Sequence, residues 1–222
     1  MTRFIATCML AGLLGMGISP SAPAATVVFP LVFEFSGAQE PQGVKPWGTA
    51  TFEDMEGMVL LTMANTNLVN DEFVAGWYFN LDPALDPTEL VFLQTSKTGS
   101  LTDPSISTSV DAFQADGDGK YDILFEFDTS SPGGTSENRF GAGESLTYKI
   151  SGILGLTADS FDYLSAPAGG SGPFPTAAHV QGIGEGAEGS GWVTTPEPSS
   201  AFLAIFGLVG VLGFVWRQRD QG

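Results

Sequence analysis

One short run, Asp116-Gly117-Asp118-Gly119-Lys120-Tyr121-Asp122, has side chains typed and spaced for cation chemistry. Calcium takes roughly six to eight oxygen ligands, and aspartates spaced around a glycine turn supply them compactly. Two places depart from the usual calcium loop: Gln114 stands where a first acid would, and Phe125 where a bidentate glutamate would. Asp-Gly pairs are also strong hairpin signals. Two readings therefore stand: a Ca2+ site at Asp116, Asp118 and Asp122, or a plain turn. Downstream, Asp122, Glu126 and Asp128 share one face of an alternating run. That face suits a cation, a basic partner or solvent.

Other chemistry is narrowed by what the chain lacks. The single histidine, His179, sits between Ala178 and Val180. Catalytic zinc usually needs three protein ligands, and the one cysteine, Cys8, lies in the N-terminal apolar run. A body without cysteine has no disulfide, thiol nucleophile or cysteine metal site. No Gly-x-Ser-x-Gly elbow and no phosphate-cradling glycine loop before a helix occurs. No catalytic residue is assigned, although a glycosidase carboxylate pair could hide among so many acids. Trp47, Trp77, Tyr78 and Trp192 could stack on sugars, but aromatics at alternating positions are first of all core. Trp77 shares its face with Phe79; Tyr78 points the other way.

These side chains must be positioned by strands. Leu31, Phe33 and Phe35 alternate with polar neighbours, and Pro30 predicts an edge or a break. Residues 47–54 and 58–64 read as a hairpin around Glu56-Gly57, the second strand central. Phe73, Ala75, Trp77, Phe79 and Leu81 are expected on one face, and 90–93 as a short buried strand. Residues 97–111 read as a polar Ser/Thr-rich loop. Residues 121–128, 146–151, 178–183 and 190–193 read as further strands, and 156–164 as one or two helical turns capped by Thr157 or Asp159. Short strands separated by turn signals predict an all-β fold, an antiparallel β-sandwich of jelly-roll or immunoglobulin type with one short helix.

Both ends differ from this body. Met1-Thr2-Arg3, an apolar run from Phe4 to Ile18 and Ala22-Pro23-Ala24 have the form of a signal peptide spanning 1–25. It predicts export through the Sec translocon and removal by signal peptidase. Residues 26–197 hold five basic side chains against twenty-four acidic ones, a net charge of −19. Such a surface repels nucleic acid and anionic lipid, so no nucleic-acid partner is expected. After the body, 26–194, comes Pro196-Glu197-Pro198. Sixteen uncharged residues, 201–216, and Arg217-Gln218-Arg219 follow. At about 1.5 Å per residue the apolar run reaches roughly 24 Å, a short membrane span. Trp216 and the arginines suit its cytoplasmic end.

In that order, Pro196, Glu197 and Pro198, the apolar run, and Arg217 with Arg219 resemble the PEP-CTERM sorting signal, here 195–222. The resemblance implies an exosortase substrate of a Gram-negative bacterium that makes extracellular polysaccharide. Such a protein is anchored transiently in the inner membrane, cleaved near Pro196–Pro198, and delivered to the cell surface or matrix. The body also resembles a group of PEP-CTERM proteins at 75–81, 118–123, 177–183 and 190–192. That likeness implies fold and secretion, with no activity attached. The expectation is a non-catalytic structural protein associated with extracellular polysaccharide. Its alternatives are a calcium-assisted carbohydrate-binding module and, further off, a glycan hydrolase or lyase.

Overall fold

The computed structural model describes residues 24–117, 119–130 and 137–196. The expected signal run to residue 23, Asp118, Glu197, Pro198, the apolar run 201–216, Arg217 and Arg219 lie outside them. The described chain is an antiparallel sandwich of two sheets. The first has the order β1 (Thr26–Pro30), β3 (Thr49–Met55), β4 (Met58–Ala64), β10 (Ser145–Ser151), β6 (Val91–Thr98). The second runs β11 (Ala166–Pro167), β8 (Gly119–Glu126), β5 (Phe73–Phe79), β12 (Thr176–Ile183), β13 (Gly189–Thr194), β2 (Phe33–Glu34). In addition β7 (Ser105–Ala115) pairs with β8, and β9 (Phe140–Gly141) with β5. Helical structure among the described residues is confined to 3₁₀ turns, such as Ala158–Phe161.

The hairpin forms where alternation predicts it. Met55 pairs with Met58, leaving Glu56-Gly57 as the loop. Gly57 takes φ +73°, a left-handed conformation that glycine adopts without a Cβ penalty. On β3 and β4, Ala50, Phe52, Val59, Leu61 and Met63 are fully buried, while the alternate residues are less covered. Pro30 ends β1, and the chain is interrupted before Phe33. Proline lacks the amide that a continuing ladder would use.

Aromatic side chains join the two sheets. Phe52 of β3 meets Phe79 of β5 edge to face at 5.3 Å, and Phe125 of β8 meets Tyr148 of β10 at 5.3 Å. Phe161, from the 3₁₀ turn, stacks on Phe52 at 4.4 Å. The Thr157 amide donates to Ser160 Oγ at 3.2 Å, closing the start of that turn. Trp47 and Trp77 are buried in this core, and the Trp77 indole N–H donates to Thr176 Oγ1 at 3.0 Å. A smaller apolar cluster lies apart from it: Phe35, Ala115, Tyr121, Phe174 and Ala177, with Tyr78, Phe113 and Trp192 against it.

Three expectations are corrected. The stretch 97–111 is irregular only at 99–104; 97 and 98 end β6, and 105–111 belong to an eleven-residue strand, β7. It adds to β8 from outside, so its Ser/Thr residues meet solvent and carry no apolar signal. The 90–93 run is not a buried strand but the start of edge strand β6, where Val91 and Leu93 are 57% and 63% exposed and Phe92 packs inward. The single face from Phe73 to Leu81 is broken near Ala75. The β5–β12 register steps from His179↔Gly76 to Val180↔Val74. A bulge residue reverses the facing of everything before it. Val74 therefore enters the central core, and Phe73 is covered by the Arg139 guanidinium, 4.4 Å from its ring centre.

Candidate functional site

The bulge in β5 also shapes a face of the sandwich where polar and aromatic groups converge. Register places Glu126, Gly76, His179 and Trp192 in a single row across β8, β5, β12 and β13. Gly76 leaves the middle of that row without a side chain. The Tyr78 ring covers part of the gap; a Cβ on Gly76 would lie 3.1 Å from Tyr78 Cε2. The result is an open groove of about 360 Å3, lined by Gly76, Tyr78, Leu124, Glu126, His179 and Gln181, with Asp128 at its end.

His179 and Trp192 stand face to face, ring centres 4.5 Å apart and planes 9° apart. Trp192 thus spends one face on His179 and does not line the groove; the imidazole does. His179 Nδ1 lies 3.3 Å from the Gln181 amide nitrogen. Burial pushes the His179 pKa down, which keeps the ring neutral at neutral pH. Burial first, and the nearby Glu126 carboxylate second, push the Tyr78 hydroxyl up, so it stays a phenol and a donor. The Asp128 carboxylate accepts from the Ser130 hydroxyl at 2.6 Å and the Ser130 amide at 2.7 Å. The hydroxyl bond, then the amide, hold its pKa below the usual carboxylate range. Together the groove offers carboxylate acceptors, an amide with both donor and acceptor, a phenol and a neutral imidazole.

The cation candidates are placed differently. Asp116 occupies the β7–β8 turn with φ +48°, while Asp118 lies outside the described residues. Asp122 falls in a gap of the β7–β8 register, three residues along β8 from Gly119, so roughly 10 Å from the turn. Both of its oxygens accept backbone amides, one from the segment just after β5 and one from β7. Oδ2 accepts from the Leu81 amide at 2.9 Å and Oδ1 from the Asp111 amide at 2.8 Å. Burial outweighs these bonds and raises its pKa. Among the described residues no three His, Cys, Asp or Glu side chains gather as a metal site. The acidic face is thus divided: Asp122 bridges strands, Glu126 lines the groove, and Asp128 is bonded to Ser130.

A second concavity lies at the free edge of β1. This cleft, about 530 Å3, is lined by Thr26–Pro30, Asp159, Asp162, Leu164, Pro175, Thr195 and Pro196. It adjoins the point where the described chain ends. A family model for the PEP-CTERM protein-sorting motif matches residues 194–219. The chain carries a PEP-CTERM sorting motif. It is therefore a secreted, exosortase-sorted protein, processed at the membrane. No curated protein and no solved structure matches the chain. The PEP-CTERM match begins at the last residue of β13, so motif and body share Thr194. Among the described residues no helix is long and apolar enough to cross a membrane.

Sequence reasoning named Tyr78 and Trp192 as sugar-facing candidates and Glu126 as part of an acidic face. It missed Gln181 and Gly76. Their only signal is the register of β5 with β12, which depends on a bulge that no local pattern announces.

Proposed function

We propose that the body is a non-catalytic polysaccharide-binding protein of the extracellular matrix, delivered by exosortase processing in a Gram-negative bacterium. In this reading a signal peptide takes the chain through the Sec translocon, and signal peptidase removes it. The apolar run 201–216 then holds the protein transiently in the inner membrane before it reaches the cell surface or matrix. The supporting observation is the groove over Gly76. Its walls combine an imidazole face backed by Trp192 with the Glu126 carboxylate, the Gln181 amide and the Tyr78 hydroxyl. Sugar rings present apolar faces and ordered hydroxyls, and this pairing of a rigid aromatic wall with a few placed polar groups suits both.

Asp128 is not suited to the role of a glycosidase general acid. A glycosidase general acid needs a raised pKa beside its partner carboxylate. Asp128 is held in the opposite direction by Ser130. Tyr78, Glu126, His179 and Gln181 lie on strands, which hold them without rearrangement.

The test is retention of residues 25–195 on the organism's own polysaccharide, with and without calcium. Native body should be retained, and Glu126→Ala with Gln181→Ala should reduce affinity about tenfold, a loss of about 1.4 kcal/mol. Equal retention of native and variant proteins would remove the groove from the function. Sugar release during the assay would replace binding with hydrolysis.

A further inference from the structure

The sorting motif leaves the body with no spacer. Thr194 is fully buried, its carbonyl accepts from the Val32 amide at 3.0 Å, and its hydroxyl donates to the Thr176 carbonyl. Thr195 Oγ1 donates to the Pro30 carbonyl at 2.8 Å. Pro196 is then exposed and lines the cleft along β1. The other end of the body is fixed just as closely. Ala25 donates its amide to Asp54 Oδ2 at 3.1 Å and accepts from the Asp54 amide at 2.9 Å.

This sets a distance limit on the processing enzyme. From Thr195 to Pro198 the chain can reach at most about 10 Å when fully extended. An active site that takes in Pro196-Glu197-Pro198 must come within that distance of the β1 edge. At such range the body and the enzyme touch. The surface they would share sets exposed apolar side chains beside Asp159 and Asp162. Val28 and Leu164 line the cleft and are each 48% exposed, and β1 is the unpaired edge of its sheet. Open strand edges and exposed apolar side chains are what partner surfaces use.

We propose that the β1-edge cleft is a docking surface for the exosortase, engaged through Val28 and Leu164 while the adjoining motif enters the active site. The folded body then contributes to recognition, and the motif is read together with the edge beside it.

The experiment follows precursor-to-product conversion of the full-length chain in a host that carries an exosortase. Val28→Asp and Leu164→Asp are compared with Leu93→Asp, a change at a more exposed position on the distant edge strand β6. Melting of each purified body confirms folding. The rim variants should slow conversion at least fivefold and Leu93→Asp should not. A Gly/Ser linker of about ten residues placed between Thr195 and Pro196 spans roughly 17 Å. It should free the motif from the body, so that rim variants and native chain convert at one rate. Rim variants that melt normally and convert at the native rate overturn the proposal. So does equal slowing by all three substitutions. Loss of a dimer of the isolated body, with conversion unchanged, would assign the face to a second copy instead.

Discussion

His179 and Trp192 stack face to face across neighbouring strands, 4.5 Å apart, and the imidazole, backed by the indole, lines the polar groove. Burial there disfavours the imidazolium, so the folded pKa lies below the unfolded value of about 6.5. Below that pH the unfolded chain takes up the proton first. Stability should therefore be level above about pH 6.5, fall as pH drops toward the folded pKa, and change no further from this group below it. Urea unfolding of the body between pH 8 and pH 5 measures the effect. His179→Gln should remove that part of the slope, while the slope from the carboxylates at lower pH persists.

Gly76 keeps the groove open. Gly76→Ala places a Cβ 3.1 Å from the Tyr78 ring, with Tyr78 Oη at 3.5 Å. The ring must shift, and the groove with it. Polysaccharide affinity should fall by about tenfold, with a stability change of about 1 kcal/mol or less. Affinity electrophoresis beside thermal melting separates the two quantities.

Trp77 belongs to the core and not to any sugar platform. Trp77→Ala should cost about 3–5 kcal/mol. Trp77→Phe should cost less, about 1–2 kcal/mol, because Thr176 Oγ1 loses the indole donor yet still donates to the Tyr78 carbonyl at 2.7 Å. Polysaccharide retention per folded molecule should be unchanged in Trp77→Phe. A selective loss of binding would place Trp77 in the functional surface.

Asp122 ties β8 to β7 and to the segment after β5 where the ladder is interrupted. Asp122→Ala leaves the Leu81 and Asp111 amides without that acceptor and should destabilise by about 2 kcal/mol. Because the carboxylate is already engaged, millimolar calcium should leave the melting temperature of the body unchanged. A rise with calcium would mean that the Asp116–Asp118 turn recruits an ion, since a ligand that binds only the folded state raises stability.

Much of the architecture is legible in local pattern, because its cause is local. The β3–β4 hairpin follows from alternation around Glu56-Gly57, and Trp47 and Trp77 follow the rule that alternating aromatics are core. What escapes the sequence depends on partners far along the chain. β7 looks like loop because an added outer strand keeps polar residues on much of its surface. Phe73 and Val74 exchange roles because of one extra residue opposite β12. The groove is assembled from β5, β8 and β12, so Glu126, Gly76 and Gln181 show no shared spacing. Asp122 sits in an acid-rich run, and only the gap in register reveals that it acts as a backbone acceptor.

The order of strands has a consequence for folding. β12 lies between β5 and β13, and β2, near the front of the chain, pairs with β13 alone. The second sheet therefore cannot close until residues 176–194, the end of the body, have left the ribosome. Contacts between such distant segments also form slowly. The second sheet, unlike the first, therefore completes its pairing only when the end of the body has been made. Until β13 arrives, β2 has no strand to pair with and β12 has an open edge.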